Sequence, residues 1–475
     1  MFHSVRGPRT ARAGGAHPPS IALLLCLAAL GVAALTPPLS AQDSKDKAIE
    51  QLMKELAAER AAREALEKRV SQLEGKAAPS GDDLERQLQG LVAPGDLQQA
   101  PPRPPSSPAF YDPAIGVFMD SVADAGNFDQ RLGEDTDNFR LREAEVDMRL
   151  PLSPFAEGVA IFSWENEGNN NFNATVEEGY ANINVGALTD TNVDTTAKLG
   201  RFRPIFGRNN QLHLHDWLQV YQPLPVRNLL GPEGLVGEGV MVHQPITDWE
   251  GAGGLGRTVN LDFSVVNGEM FIGDTALGEA ADEAGLGLQS DDPMYVARLS
   301  QYSELDALSD LELGVSAIGP LGANAVTTDA GERVHVHYLD ADITWRDRAA
   351  EHGVGSWLVQ AEGMRAWIDD TSSDFVPDSS DQGWWLTVQR QTSANWYVGV
   401  LYGTSDVLSS TAHQDSIAPY VTWYADEFFR VRGEFEHLTQ NGGGSDDNIS
   451  DANRLLLQFT WNFGVHAPHP YWVNR

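Results

Sequence analysis

From about residue 112 onward the chain alternates apolar and polar positions with a period of two, the pattern of a strand whose two faces meet different surroundings. The last segment is the clearest: Leu455, Leu457, Phe459, Trp461 and Phe463 share one parity, and Leu456, Gln458, Thr460 and Asn462 the other. Phe429, Val431 and Phe435 oppose Arg430, Arg432, Glu434 and Glu436 in the same way. Ala144, Val146, Met148 and Leu150 oppose Glu143, Glu145, Asp147 and Arg149, while Leu339, Ala341, Ile343 and Trp345 oppose Tyr338, Asp340, Asp342 and Thr344. Sixteen strands are predicted, at 114–122, 139–150, 157–166, 175–187, 196–204, 237–245, 258–267, 293–301, 309–318, 334–346, 354–367, 382–392, 395–404, 417–425, 428–438 and 453–464. The connections alternate between generally long ones (123–138, 167–174, 205–236, 268–292, 319–333, 368–381, 405–416, 439–452) and generally short ones (151–156, 188–195, 246–257, 302–308, 347–353, 393–394, 426–427).

A water-soluble antiparallel sheet also alternates. Here the polar face carries two to four charges per strand and the apolar face ends in Trp and Tyr, which suits a wet interior and a lipid exterior. A bilayer tolerates a sheet only when it closes, because an open edge leaves backbone groups unpaired in hydrocarbon. The expected fold is therefore all-β: a 16-stranded antiparallel transmembrane β-barrel over residues 110–475, in a bacterial outer membrane.

The N-terminus differs. Arg6, Arg9 and Arg12 precede the apolar run Ile21 to Leu35 and the small-residue end Leu39-Ser40-Ala41, a secretory signal over residues 1–41. Its fifteen apolar residues fall short of the roughly 20 that span a membrane as a helix. Cys26, the only cysteine, leaves with the signal, so neither a disulfide framework nor a thiolate metal site is expected. Residues 42–78 read as a coiled coil: Ile49, Leu56 and Val70 fall at a with Arg63, and Leu52, Leu66 and Leu73 at d with Glu59. So narrow a seam predicts self-association, here as a homotrimer, in the periplasm. A proline-rich spacer, 79–109, follows.

Charge sharpens the boundary. Residues 110–475 hold 19 Arg and one Lys against 55 Asp and Glu, which leaves no basic surface for nucleic acid.

The segment Leu199-Gly200-Arg201-Phe202-Arg203-Pro204-Ile205-Phe206-Gly207-Arg208-Asn209-Asn210-Gln211-Leu212-His213-Leu214-His215 resembles a signature of outer-membrane porins related to the phosphate-selective porin O and P family. The end, Phe459-Thr460-Trp461-Asn462-Phe463-Gly464, resembles that group's final strand. The resemblance implies passive diffusion of small hydrophilic solutes, with the third long loop folded inward to narrow the channel. Phosphate-selective members use lysine-rich channels, whereas this barrel has only Lys198, which argues against specific phosphate transport.

The third loop is the longest, and the expected constriction or solute-binding residues cluster at its start: Lys198, Arg201, Arg203, Arg208, His213 and His215. Arg201 and Arg203 share a parity assigned to the lumen. Two readings of the arginines stand together: guanidinium groups that attract anions, or partners of wall acids such as Glu143, Glu145 and Glu177. A preference for cations is equally arguable from the acidic excess. His213-x-His215 and His335-x-His337 are weak metal candidates, because zinc needs at least three protein donors and the sequence shows two at each. No cofactor is expected. Beside the channel stand two alternatives, a barrel whose N-terminal segment tethers the envelope to the cell wall and a barrel for zinc uptake. An enzyme is not expected, since the chain has neither a nucleophile elbow nor a phosphate-cradling loop.

Overall fold

A computed structural model describes residues 113–464, apart from 129–138, 167–171, 251–255, 284, 323–325, 330, 350–352, 371–378 and 443–448. The signal, coiled-coil and spacer assignments lie outside the described residues, as do the acidic clusters around Asp374 and Asp446.

The strands are β1 (Ala114–Gly126), β2 (Phe139–Ser153), β3 (Ala156–Asn166), β4 (Phe172–Asn184), β5 (Thr196–Phe202), β6 (Gly237–Glu250), β7 (Gly256–Val266), β8 (Leu288–Ser290) and β9 (Met294–Glu304). Then come β10 (Ser309–Pro320), β11 (Val326–Thr328), β12 (Arg333–Asp347), β13 (Trp357–Asp370), β14 (Ser379–Ser393), β15 (Trp396–Asp406), β16 (His413–Tyr424), β17 (Phe429–Asn441) and β18 (Ile449–Gly464). Each long strand pairs antiparallel with its neighbours in sequence, with β7 beside β9 and β10 beside β12. The ring closes where β1 meets β18 over eleven residue pairs, Gly116 opposite Gly464 through Gly126 opposite Arg454. The result is a closed antiparallel barrel of sixteen strands. The exceptions β8 and β11 are three-residue strands that pair with each other across two neighbouring loops and extend onto β12.

All sixteen predicted segments are strands, because the side-chain period that marks them is the period the pleat imposes. Leu455, Leu457, Trp461 and Phe463 are exposed on the outer wall, while Leu456, Gln458 and Thr460 are buried inside. Arg430, Arg432, Glu434 and Glu436 likewise face inward, as do Glu143, Glu145 and Asp147.

Boundaries differ where local chemistry intervenes. The fourth strand stops at Asn184, whose side chain caps the short helix α1 (Val185–Thr189) by accepting from the Ala187 amide at 2.8 Å. The sixth continues past Pro245 to Glu250, because a register shift between Pro245 and Thr247 accommodates the missing amide. In β4 the register shifts opposite Ile161 and Phe162, leaving Glu177 unpaired between Val176 and Glu178. Such a bulge turns two consecutive side chains the same way, and both Glu177 and Glu178 are buried inside.

Successive connections alternate between the two ends of the barrel, and the two longest, 203–236 and 267–293, share one end. Both fold into the ring and carry α2 (Leu224–Leu229) and α3 (Ala276–Glu283). Phe206, Leu229, Phe271 and Leu277 from these segments pack with Phe202 of β5 against Met294, Val336 and Tyr338 of the wall, so part of the interior is an apolar core.

Candidate functional site: the inward loop

The loop begins because β5 ends. Arg203 and Pro204 follow Phe202, and the proline has no amide to continue the ladder. Asn210 then holds the two ends of the loop together: its amide nitrogen donates to Pro204 O at 3.0 Å and Leu235 O at 3.1 Å, and its oxygen accepts from the Leu235 amide at 2.6 Å. Its side chain is buried. Gly207 sits at φ +58, and a Cβ there would stand 1.9 Å from Glu362 Oε1. Only glycine allows this approach, which lets the amides of Arg208 and Asn209 donate to the two oxygens of Glu362 at 3.1 and 3.2 Å.

Glu362 lies on β13; four residues after Asn209, His213 meets Glu177 on β4 at 2.8 Å. Those strands are seven places apart in the sixteen-strand ring, so the loop crosses the lumen as a chord. It is fastened again farther on. The Val220 amide donates to Glu434 at 2.9 Å, Arg432 donates to Gln219 O at 2.8 Å, Arg142 to Val220 O at 2.7 Å, and Arg227 to Glu436 at 2.8 Å.

The expected constriction residues divide into three groups. Arg203 is buried against Glu177 at 3.2 Å and donates to the Glu233 carbonyl, and Arg208 is held by both oxygens of Glu312 at 3.1 Å. Lys198 faces inward with its ammonium 4.4 Å from the Tyr180 ring centre. Arg201 is a correction. It shares the parity of exposed Leu199 and meets exposed Glu238 at 3.8 Å, so it lies on the outer wall, while Arg203 turns inward because the strand has already ended. His335 and His337 also differ from the inward pair: buried Val334, Val336 and Tyr338 take the inner parity of β12, leaving both imidazoles on the outer one.

His213 and His215 are brought together at the wall. Their rings stack with centres 5.8 Å apart, and His215 lies on Phe118 at 3.8 Å. His213 Nδ1 is 2.8 Å from Glu177 Oε2 and 3.5 Å from Glu145 Oε2, His213 Nε2 is 3.0 Å from Glu178 Oε1, and His215 Nδ1 is 3.3 Å from Glu145 Oε2. Burial alone pushes the His213 imidazole down, but the charge of Glu145 and the hydrogen bonds to Glu177 and Glu178 outweigh it and raise it well above its ordinary value. His215 is raised too, against burial, chiefly by Glu145 and then Asp216. Near the far end of the loop, burial and Glu165 push Glu233 up to about 8 against the pull of Arg203.

Glu143, Glu145 and Glu177 are legible in the sequence as wall acids, but Glu178 is not, because strict alternation sends it outward. Nor are Glu362, Glu312 and Asn210, whose roles depend on the path of the loop. The Gly-Arg-Asn-Asn run at 207–210 was the available signal, since a glycine followed by amide-rich polar residues marks a backbone held close to a partner.

No protein-family profile matches the chain. An uncharacterized protein of Aquifex aeolicus (strain VF5) is 25% identical over 355 residues, covering 70% of each chain. Among solved structures, the outer membrane channel DcaP of Acinetobacter baumannii is similar with a TM-score of 0.48 at 12% identity, covering 75% of this chain and 99% of that one. An anion-selective porin from Comamonas acidovorans gives 0.46 at 11% identity, covering 74% and 99%. OmpF of Salmonella typhi, in complex with daunomycin, gives 0.47 at 10% identity, covering 74% and 97%. The fold assignment rests on the strand pairing described above.

Proposed function

We propose that the protein is an outer-membrane porin, a channel through which small hydrophilic solutes diffuse passively. The observation that carries this reading is the closed ring with an apolar outer wall, a charged inner wall and a loop tied across the lumen. Residue type supports the lipid assignment: Leu261, Phe263, Leu299, Leu313 and Trp384 all stand exposed on the outside. Purified protein reconstituted in planar bilayers is expected to give discrete ion-conducting steps. Folded protein that inserts and stays silent would overturn the reading.

Ion preference is the finer question. Arg203 and Arg208 are neutralised by wall acids and Arg201 is outside, so the loop arginines lend the anion reading little support. Among the described residues, Arg430 and Arg432 face inward with no carboxylate at ion-pairing distance, bonded instead to Thr460, Thr422, Gln219 O and Gln458. Anion preference therefore rests on these two guanidinium groups. Under a salt gradient the reversal potential should shift toward cation preference when both become Gln; an unchanged potential removes them. Specific phosphate transport gains nothing from a lone Lys198 stacked on Tyr180. Trimer formation and an envelope-tethering role both depend on residues 42–109, and deleting them tests both while leaving the barrel.

A further inference from the structure

We infer that the inward loop carries a divalent-metal site of the zinc type, formed by His213 with Glu145 and Glu177 of the wall and flanked by His215. One donor atom from each of Glu145, Glu177 and His213 falls within 4.8 Å of the others. The separations of 2.8, 3.3 and 3.5 Å around Glu145 Oε2 and His213 Nδ1 bracket the edge of a tetrahedron with metal bonds of about 2.0–2.1 Å, which is about 3.3 Å.

Two further observations point to a cation rather than to a plain salt bridge. Glu145 Oε2 lies between the two imidazoles, 3.5 Å from His213 Nδ1 and 3.3 Å from His215 Nδ1, 1% of the residue is exposed, and neither approach has the geometry of a hydrogen bond. A buried carboxylate oxygen set between two imidazole nitrogens without a well-formed hydrogen bond is costly, and a metal ion that displaces an imidazole proton would satisfy it. Moreover, Glu178 takes the far nitrogen of His213 at 3.0 Å. A carboxylate behind a histidine fixes the ring so that the other nitrogen, once its proton is displaced, presents its lone pair to a metal, the arrangement found behind metal-bound imidazoles. The bulge at Glu177 is what provides both roles from adjacent residues: Glu177 faces the donor set and Glu178 supports it. Mixed nitrogen and oxygen donors in so small a set favour a zinc-like ion over calcium, which takes six to eight oxygens. A bound ion would join the loop to β2 and β4 at one point. This inference rests on the loop geometry and not on the channel reading.

The test uses the full chain folded in detergent, stripped with a chelator and titrated with zinc chloride, with cobalt(II) as a spectroscopic stand-in. One equivalent per chain should bind, and cobalt should give the visible absorption of a four-coordinate site, a readout that needs no variant. Glu145→Gln, nearly isosteric, and His213→Asn should each weaken zinc binding by at least tenfold, whereas His335→Asn with His337→Asn should leave it unchanged. Failure to take up one saturable equivalent, or equal affinity in Glu145→Gln, would overturn the site. So would loss of binding in the outer-wall double variant. None of these readings requires current through a bilayer, so a silent channel would leave them intact.

Discussion

Replacing Asn210 with alanine should release the inward loop without unfolding the barrel. The side chain is buried and makes three hydrogen bonds, to Pro204 O, to Leu235 O and from the Leu235 amide. Alanine leaves the carbonyl and the amide of Leu235 without partners, while Pro204 O keeps the Phe206 amide at 2.9 Å, and each unsatisfied buried group costs about 1–3 kcal/mol. Taking the lower end for both gives about 2 kcal/mol against the docked loop, or roughly thirtyfold in its docking equilibrium. The wall hydrogen bonds of the β-ring do not involve this residue, so the cost falls on residues 203–236. Hydrogen exchange read by mass spectrometry should show peptides from that segment exchanging about thirtyfold faster than in wild type, with β12 and β18 unchanged. Asn210→Asp, which keeps the acceptor for Leu235 but turns its second oxygen toward two carbonyls, should loosen the loop at least as much as alanine. If exchange in 203–236 were unaltered in Asn210→Ala, the inference that this side chain clamps the loop would be wrong.

Gly207→Ala should also displace the loop, since φ +58 disfavours a side chain and the new Cβ would meet Glu362 at 1.9 Å; the expected sign is faster exchange of the Arg208 and Asn209 amides. Glu233 binds its proton more tightly folded than unfolded, so its contribution is complete below the ordinary glutamate value and is lost as pH rises from there to about 8. Glu233→Gln should therefore match wild type in melting temperature at pH 5 and exceed it at pH 9, and an equal deficit at both would refute this. Leu339→Arg places a charge on the outer wall about halfway along β12 and should cost about 2–4 kcal/mol of folding stability in lipid vesicles, measured by denaturant titration; a cost near zero would mean that this face does not meet hydrocarbon.

The strands were readable because the outer wall repeats one chemical demand on every second residue, and Leu455 to Phe463 or Leu339 to Trp345 satisfy it without interruption. The loop was readable only in outline. Its length and its run of arginines marked it, but where each arginine ends up depends on where β5 stops, and one residue decides whether Arg201 and Arg203 share a side. The bulge at Glu177 left no trace in the pattern because two adjacent acids look the same whether one or both turn inward. The strands β8 and β11 are three residues long, too short for a period to declare itself, and exist through the loops they join. The histidine cluster needed a third dimension: His213 and His215 were visible as a pair, but Glu145 comes from a strand some seventy residues earlier.

A ring of sixteen strands is a hoop, and a hoop is stiff along its wall but weak against flattening. The stretch from Glu362 through Asn209 to His213 and Glu177 joins nearly opposite points of that hoop, so it works as a tie-rod that resists ovalisation under lateral pressure. Loosening either anchor should then soften the cross-section as a whole, so that distances between spin labels on opposite strands broaden even where no side chain near the labels has changed.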